Sequence, residues 1–187
     1  AAEDTRHSAY LLQHYAIATP MLAYHEHSGE GQTEKVLALL QQGKSVALIS
    51  DAGTPLISDP GYRLVKRARQ LEMSVVPVPG PSALVAALSA SGLATDSFSF
   101  QGFLPAREKA RRDALELLKS QPSTLIFYEA PHRIAETLAD MCAIFGVERM
   151  VTLARELTKN YETIRQMRLD EMALWVESDH NQQRGGH

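Results

Sequence analysis

Four loops carry the residue types from which a ligand site can be built. Ser50-Asp-Ala-Gly-Thr-Pro-Leu-Ile-Ser-Asp-Pro-Gly61 follows the aliphatic run Ser45-Val-Ala-Leu-Ile49 and concentrates two Gly, two Pro, two Ser, two Asp and one Thr in twelve residues. A strand-to-helix connection commonly takes ~2–6 residues, so a turn-rich segment of this length predicts a binding loop. Pro79-Gly-Pro-Ser82, Gly102-Phe-Leu-Pro-Ala106 and Glu129-Ala-Pro131 each follow another aliphatic or aromatic run. Gly53 lets backbone approach a ligand closely, while Thr54 and Ser82 bring hydroxyl donors. None of these loops matches G-x-x-x-x-G-K-[ST] or G-x-G-x-x-G, which argues against a nucleoside triphosphate or a dinucleotide held in the usual way. His25 and His27 alternate without a third ligand at a defined spacing, so no metal site is expected. No G-x-S-x-G elbow or Cys–His pairing is present.

The elements that position these loops alternate between strand and helix. Short helices are predicted over 8–15, with Tyr10, Leu11, Leu12 and Tyr15 on the apolar side, and from Thr33, with Thr33 as cap and Val36, Leu37, Leu39 and Leu40 buried. Strands are predicted at 21–25, 45–49 and 74–78, the last with Pro77 and Pro79 marking an edge or a strand end. Tyr62, Leu64, Val65, Ala68 and Leu71 form a helical stripe. Ala83 to Ala90 is an uncharged helix capped by Ser82, and such a helix is expected to be packed on both sides. Character shifts near Thr95 from small and aliphatic to charged and aromatic, which divides the chain into domains 1–94 and 95–187. Strands at 97–101, 124–128, 150–154 and 161–167, with helices at 107–119, from Pro131 to Phe145, and at 169–176, complete an α/β pattern. Residues 178–187 are polar and are expected to fray.

Composition sets the outer limits. The chain has 187 residues, 44% apolar and 22% charged, with a net charge of −3, so no global basic excess announces a nucleic-acid binder. Basic residues do cluster between 107 and 119: Arg107, Lys109, Arg111, Arg112 and Lys119 stand against Glu108, Asp113 and Glu116, a local +2. That segment is either a solvated helix face or an RNA-facing patch. The single cysteine, Cys142, excludes intrachain disulfides and reads as a small buried hydrophobe. No apolar run approaches ~18 residues and no signal-peptide pattern is present, so a cytoplasmic location with no membrane association is expected.

Six motifs occur in order: Ala2-Glu-Asp-Thr-Arg-His7, Ser50 to Gly61, Val78-Pro-Gly-Pro-Ser82, Gly102-Phe-Leu-Pro105, Phe127-Tyr-Glu-Ala-Pro-His-Arg133 and Ala154-Arg-Glu-Leu-Thr-Lys159. Together they closely resemble the branch of the tetrapyrrole-methylase superfamily that methylates ribose 2′-oxygens of bacterial small-subunit ribosomal RNA. The resemblance implies a two-domain α/β fold with a donor cleft between the domains, a homodimer, S-adenosylmethionine as donor, and a decoding-centre cytidine as acceptor. Carried over by position, it assigns Ala52, Gly53, Thr54, Ile57, Ser82, Ala83, Glu129 and Leu157 to the donor. Asp4, Glu129 and Lys159, with Glu3 and Glu156 beside them, are the candidates for handling the proton of the attacking oxygen. Arg6, Arg133 and Arg155, together with Arg107, Lys109, Arg111 and Arg112 of the basic segment, are the candidates for RNA phosphates. A free lysine is cationic at neutral pH, a chemistry that suits phosphate neutralisation at position 159 better than proton abstraction. Family members carry a strand and a Pro-Ile-Gly-Asn loop upstream of Glu3 and a final strand beyond Gly186, so the chain is expected to be truncated at both ends. Two alternatives accompany this reading: a precorrin-type tetrapyrrole C-methyltransferase, and a non-catalytic donor-binding or dimerisation fragment.

Overall fold

The computed structural model describes residues 1–25 and 29–179. His27 and the polar stretch from His180 to His187 lie outside the described residues. Internal contacts divide the chain into two compact units, Ala1–Ser82 and Ala83–His187.

The first unit holds α1 (Thr5–His14), α2 (Glu30–Gln41) and α3 (Tyr62–Gln70), joined by extended segments. Ala2 bridges in parallel to both Ala23 and Ile49. The Ala2 N–H donates to Leu22 O at 2.8 Å, the Tyr24 N–H to Ala2 O at 2.7 Å, and the Ile49 N–H to Ala1 O at 2.9 Å. The strands expected at 21–25 and 45–49 are therefore reduced to single bridges, and among the described residues 74–78 forms no ladder. Aliphatic character drives burial, and Val46, Leu48 and Val75 do pack against the core of Tyr24, Val36, Leu37, Leu64 and Ala68. A ladder also needs a neighbouring backbone, and Pro77 and Pro79 bring no N–H to one. Val76 and Val78 are left exposed.

Two helix starts differ from expectation. Helix α1 begins at Thr5 because Asp4 caps it, accepting from the Arg6 N–H at 2.8 Å and the His7 N–H at 3.4 Å. Its inward residue is Ser8, while Tyr10, Leu11 and Tyr15 face solvent. Helix α2 starts at Glu30 after Gly29, so Thr33 is no cap. Thr33 lies buried inside the helix, its hydroxyl 3.0 Å from the Tyr24 hydroxyl.

In the second unit, α4 (Ala83–Ala90) precedes β1 (Phe98–Phe103), α5 (Glu108–Leu118) and β2 (Thr124–Tyr128). Strands β1 and β2 pair in parallel, with a register break between Phe100 and Gly102 that leaves Gln101 as the extra residue. Strand β1 therefore runs through Gly102 to Phe103 instead of breaking there. A 3-10 turn at Pro131–Arg133 opens α6 (Ile134–Phe145). Strands β3 (Met150–Arg155) and β4 (Thr163–Arg168) pair antiparallel and lead into α7 (Leu169–Ser178). Leu104, Leu115, Leu138, Met141, Ile144, Leu169, Met172 and Val176 form the core, with Cys142 packed at its edge. Burial, and secondarily the nearby Asp170 carboxylate, push the Cys142 thiol up from its ordinary value.

Helix α4 is not packed on both sides: among its residues only Leu84 is buried, and Val85 is 56% exposed. Bonds around it run to the strands of the second unit, from the Leu84 N–H to the Tyr128 hydroxyl at 3.1 Å and from the Thr124 hydroxyl to Ala94 O at 2.6 Å. The Thr152 hydroxyl likewise donates to Ser91 O at 2.8 Å. The segment between Ala83 and the compositional shift at Thr95 accordingly groups with the second unit and not with the first.

Candidate functional site

In the first unit, the loop 50–61, the turn 79–82 and residues 3–4 converge. The Thr54 hydroxyl donates to Pro81 O at 2.7 Å and ties the two loops together. The Ser50 hydroxyl lies within bonding range of Ala52 O at 3.2 Å and Gly53 O at 3.3 Å, which closes the turn from beneath. The Asp4 N–H donates to Asp51 Oδ1 at 3.2 Å, and the Asp51 N–H to Glu3 Oε2 at 3.4 Å. Gly53 sits at φ +76, and a Cβ built there would meet only Pro81 O, at 3.8 Å. The backbone is thus turned in a way L side chains resist, with Pro81 O in ordinary van der Waals contact. At the loop's other end Gly61 has φ +136, and a Cβ there would press within 2.6 Å of Leu48 Cδ2. Leu56 and Ser58 also adopt positive φ, at 74 and 62, so the loop holds two further strained residues.

Ala52 and Gly53 are exposed and Ile57 is 37% exposed, while Ser82 is half-buried one residue beyond the Thr54–Pro81 link. Thr54 is expected from its type to donate to a ligand. Its proton is directed to Pro81 O instead, which leaves the hydroxyl an acceptor toward anything else. Asp59 is absent from the expected site residues, yet its carboxyl is pushed above the ordinary range by partial burial, then by the charges of Glu3 and Asp51. Its position at the end of the Asp-containing loop was the available signal.

The second unit holds the other candidates. Glu129, just past β2, is half-buried with its carboxylate committed: Oε1 accepts from the Ala130 N–H at 2.8 Å and Oε2 from the Thr137 hydroxyl at 2.6 Å. Arg133 Nε lies 3.4 Å from the same carboxylate. Arg133 NH2 donates to Leu104 O at 2.9 Å and Pro105 O at 3.1 Å. Arg133 therefore clamps the loop after β1 to the end of β2 and does not present a guanidinium to solvent. Ala83 is exposed at the start of α4. In the loop after β3, Glu156 and Thr158 take positive φ, at 50 and 67, with Leu157 half-buried between them. The Thr158 N–H donates to Glu162 Oε2 at 2.7 Å, and Lys159 pairs with Glu156 at 3.3 Å. Arg155 is half-buried at the end of β3.

Two proton-handling candidates are thus engaged in structural bonds. Asp4 caps α1, and the Arg6 guanidinium, then the Arg6 N–H, holds its carboxyl below the usual range, which makes it a weak base. Glu129 is enclosed by the Ala130 N–H, the Thr137 hydroxyl and the Arg133 guanidinium. Lys159, its side chain 47% exposed, keeps access to solvent beside Glu156. Arg6 is 91% exposed but leans on Asp4 at 3.2 Å.

The basic segment differs most from expectation. Arg111 is 2% exposed, its Nε 2.6 Å from Asp140 Oδ2 and its NH2 3.6 Å from Glu136. Arg112 NH1 reaches the other oxygen of Asp140 at 3.0 Å. Arg111 cannot meet a phosphate, and Arg112 is shared with α6; Arg107 and Lys109 remain on the surface. Among the described residues, no group of three His, Cys, Asp or Glu side chains is placed to hold a metal ion.

Residues 1–173 match the family described as Tetrapyrrole (Corrin/Porphyrin) Methylases. The chain belongs to the tetrapyrrole methylase family. The methyltransferase CobJ, a solved structure that matches at a TM-score of 0.60 and 16% identity over 86% of this chain and 74% of its own, carries the same α/β fold. Within the tetrapyrrole methylases, the chain is similar to proteins named Ribosomal RNA small subunit methyltransferase I. It is 58% identical to that of Pseudomonas aeruginosa over 185 residues, which is 99% of this chain and 66% of the relative. Those of Vibrio cholerae and Escherichia coli O157:H7 are 54% and 51% identical, again over 99% of this chain and over 64% and 65% of their own lengths. The chain thus spans just under two thirds of the length of these relatives.

Proposed function

We propose that the protein represented by this chain transfers a methyl group from S-adenosylmethionine to a cytidine ribose 2′-oxygen in small-subunit ribosomal RNA. Identity of 51–58% to proteins named for ribosomal RNA methylation supports the activity class. The observation that carries the donor assignment is the exposed Gly53 turn, held at a φ that L side chains rarely adopt with Pro81 O at van der Waals distance. Gly53, flanked by Ala52 and Thr54 and followed by Ile57 and Ser82, fits a ligand held through main-chain groups and apolar contact. The resemblance assigns Ala83, Glu129 and Leu157 to the donor as well. When bound, the donor supplies an electrophilic methyl on a sulfonium centre.

The chain's own residues then serve mainly to position. Orientation can lower a barrier by up to ~7–11 kcal/mol. That route suits a protein whose Asp4 and Glu129 carboxylates are already occupied by hydrogen bonds. Lys159 and Arg155 would neutralise phosphates beside the target ribose. No described helix is long and apolar enough to cross a membrane; a cytoplasmic homodimer acting on ribosomal RNA is the arrangement we propose.

Calorimetry with S-adenosylmethionine tests the donor half of this reading. The wild-type chain is expected to bind, and Gly53→Val to bind at least roughly tenfold more weakly, because a branched side chain at positive φ both strains and fills the turn. Equal affinities would remove the turn from the donor site. Incubating a full-length protein with labelled donor and small ribosomal subunits tests the other half, and absence of label from the RNA would overturn it.

A further inference from the structure

Helix α3 carries Arg63, Lys66, Arg67 and Arg69 and no acid, a charge of +4 within nine residues of a chain whose net charge is −3. All four side chains are exposed, and so is Tyr62 at 65%. Among the described residues, the partners they have are weak or neutral. Arg67 lies 3.7 Å from Glu34 and 3.4 Å from Gln70 Oε1, Arg69 donates to Val75 O at 3.2 Å, and Lys66 stands 5.9 Å from the Tyr62 ring centroid.

Helix stability does not account for this arrangement. Arg63 and Lys66, Arg63 and Arg67, and Lys66 and Arg69 are like-charge pairs at spacings of three or four residues, and each such pair opposes the helix. Cations in the last turn favour the helix dipole, but Arg63 stands in the first turn, where a positive charge is unfavourable. The inward stripe of Leu64 and Ala68 needs no cations to pack.

We propose that the exposed face of α3 is an RNA-binding surface, its cations meeting backbone phosphates and Tyr62 offering a ring for a base to stack on. The helix starts directly after Gly61, so the surface is continuous in the chain with the loop that carries Gly53. This inference rests on RNA being the substrate class and names where the RNA is held. An anionic membrane surface is the competing partner, but an exposed tyrosine beside arginines, with no large aliphatic side chain among the helix's exposed positions, favours nucleic acid.

The test is fluorescence anisotropy of a labelled RNA hairpin with the 187-residue chain across a salt series. Replacing Arg63, Lys66, Arg67 and Arg69 together by Gln is expected to lower the salt slope by roughly 3 and to weaken binding by roughly 10²–10³-fold at ~0.1 M salt. The variant is also expected to melt no lower than wild type, since like-charge repulsion has been removed. Unchanged affinity and slope overturn the assignment. So does a variant that keeps RNA affinity but loses binding to phosphatidylserine vesicles. If wild type binds no RNA at any salt, the RNA reading fails with it. If the α3 variant binds as wild type while a full-length protein still labels small subunits, only the α3 inference fails.

Discussion

Helices α3 and α5 hold similar numbers of cations and use them in opposite ways. Helix α5 carries Lys109, Arg111 and Arg112 against Glu108, Asp113 and Glu116, and its two arginines converge on Asp140 of α6. Their charge is consumed in fastening two helices of the second unit. Helix α3 has no acid of its own, and its cations point outward. What matters to a polyanion is therefore not how many bases a segment contains but whether carboxylates distant in sequence reach them. Asp140 lies 28 and 29 residues from Arg112 and Arg111. A reading of local charge has no access to that separation.

Asp140→Ala should produce the largest effect. It leaves the buried Arg111 guanidinium only the longer contact to Glu136, at 3.6 Å, as a carboxylate partner among the described residues, and loss of one member of a buried pair typically costs ~3–5 kcal/mol. Denaturant unfolding of the second unit is expected to show a loss of that order. A change below ~1 kcal/mol would mean that Arg111 is not locked in the fold.

Next comes the RNA side of the comparison. Substituting Gln for both Lys109 and Arg112 is expected to change the salt slope of RNA binding by no more than about 1, because Arg112 is already paired. The single change Arg63→Gln should lower the slope by roughly 0.9 by itself. A larger effect from the α5 pair than from Arg63 would reverse the assignment of the two helices.

Stability gives a smaller contrast of opposite sign. Arg63→Gln removes two like-charge pairs and should raise stability by about 0.2–0.5 kcal/mol for each. Arg112→Gln should lower it by at most ~1 kcal/mol, since that side chain is 43% exposed and solvent screens the pair. Thermal melts of the two variants, measured together, check the signs.

The smallest expected effect is on pH dependence at the loop leading into α3. Asp59 holds its proton more tightly folded than unfolded, so its contribution to stability is present below the ordinary 3.8 and is lost as pH rises through the folded value. Asp59→Asn removes this loss. The variant should gain on wild type at neutral pH and show no gain in acid, as read from unfolding curves at both. Asp4 provides the reverse case: with its pKa lowered, the stabilisation it provides is present above the ordinary value and is lost as pH falls through the folded one.

Elements whose stability is local were legible in the sequence. Strand β2, with Phe127 and Tyr128, the Pro131 turn that opens α6, the Gly146 stop of that helix, and the β4–α7 junction all follow from periodicity and end signals. What the sequence hid depends on distant partners. The run 45–49 reads as a strand, yet only Ile49 finds a bridge, to Ala2. Thr33 has the chemistry of a cap, but pairing with Tyr24 buries it inside α2. Glu129 and Arg133 look like a free acid and a free base; Thr137, Leu104 and Pro105 engage them. In helix α3 the apolar stripe is the stronger sequence signal, and the acidity of the chain as a whole masks the four cations beside it.

The central claim, methyl transfer to a ribose oxygen, has a direct chemical readout. Small ribosomal subunits labelled by a full-length protein with radioactive S-adenosylmethionine would have their RNA hydrolysed in alkali, which cleaves next to every free 2′-hydroxyl and spares a methylated one. The account predicts that the label is recovered in an alkali-stable dinucleotide whose 5′ nucleoside is cytidine. Label recovered in mononucleotides, as base methylation would give, would contradict it.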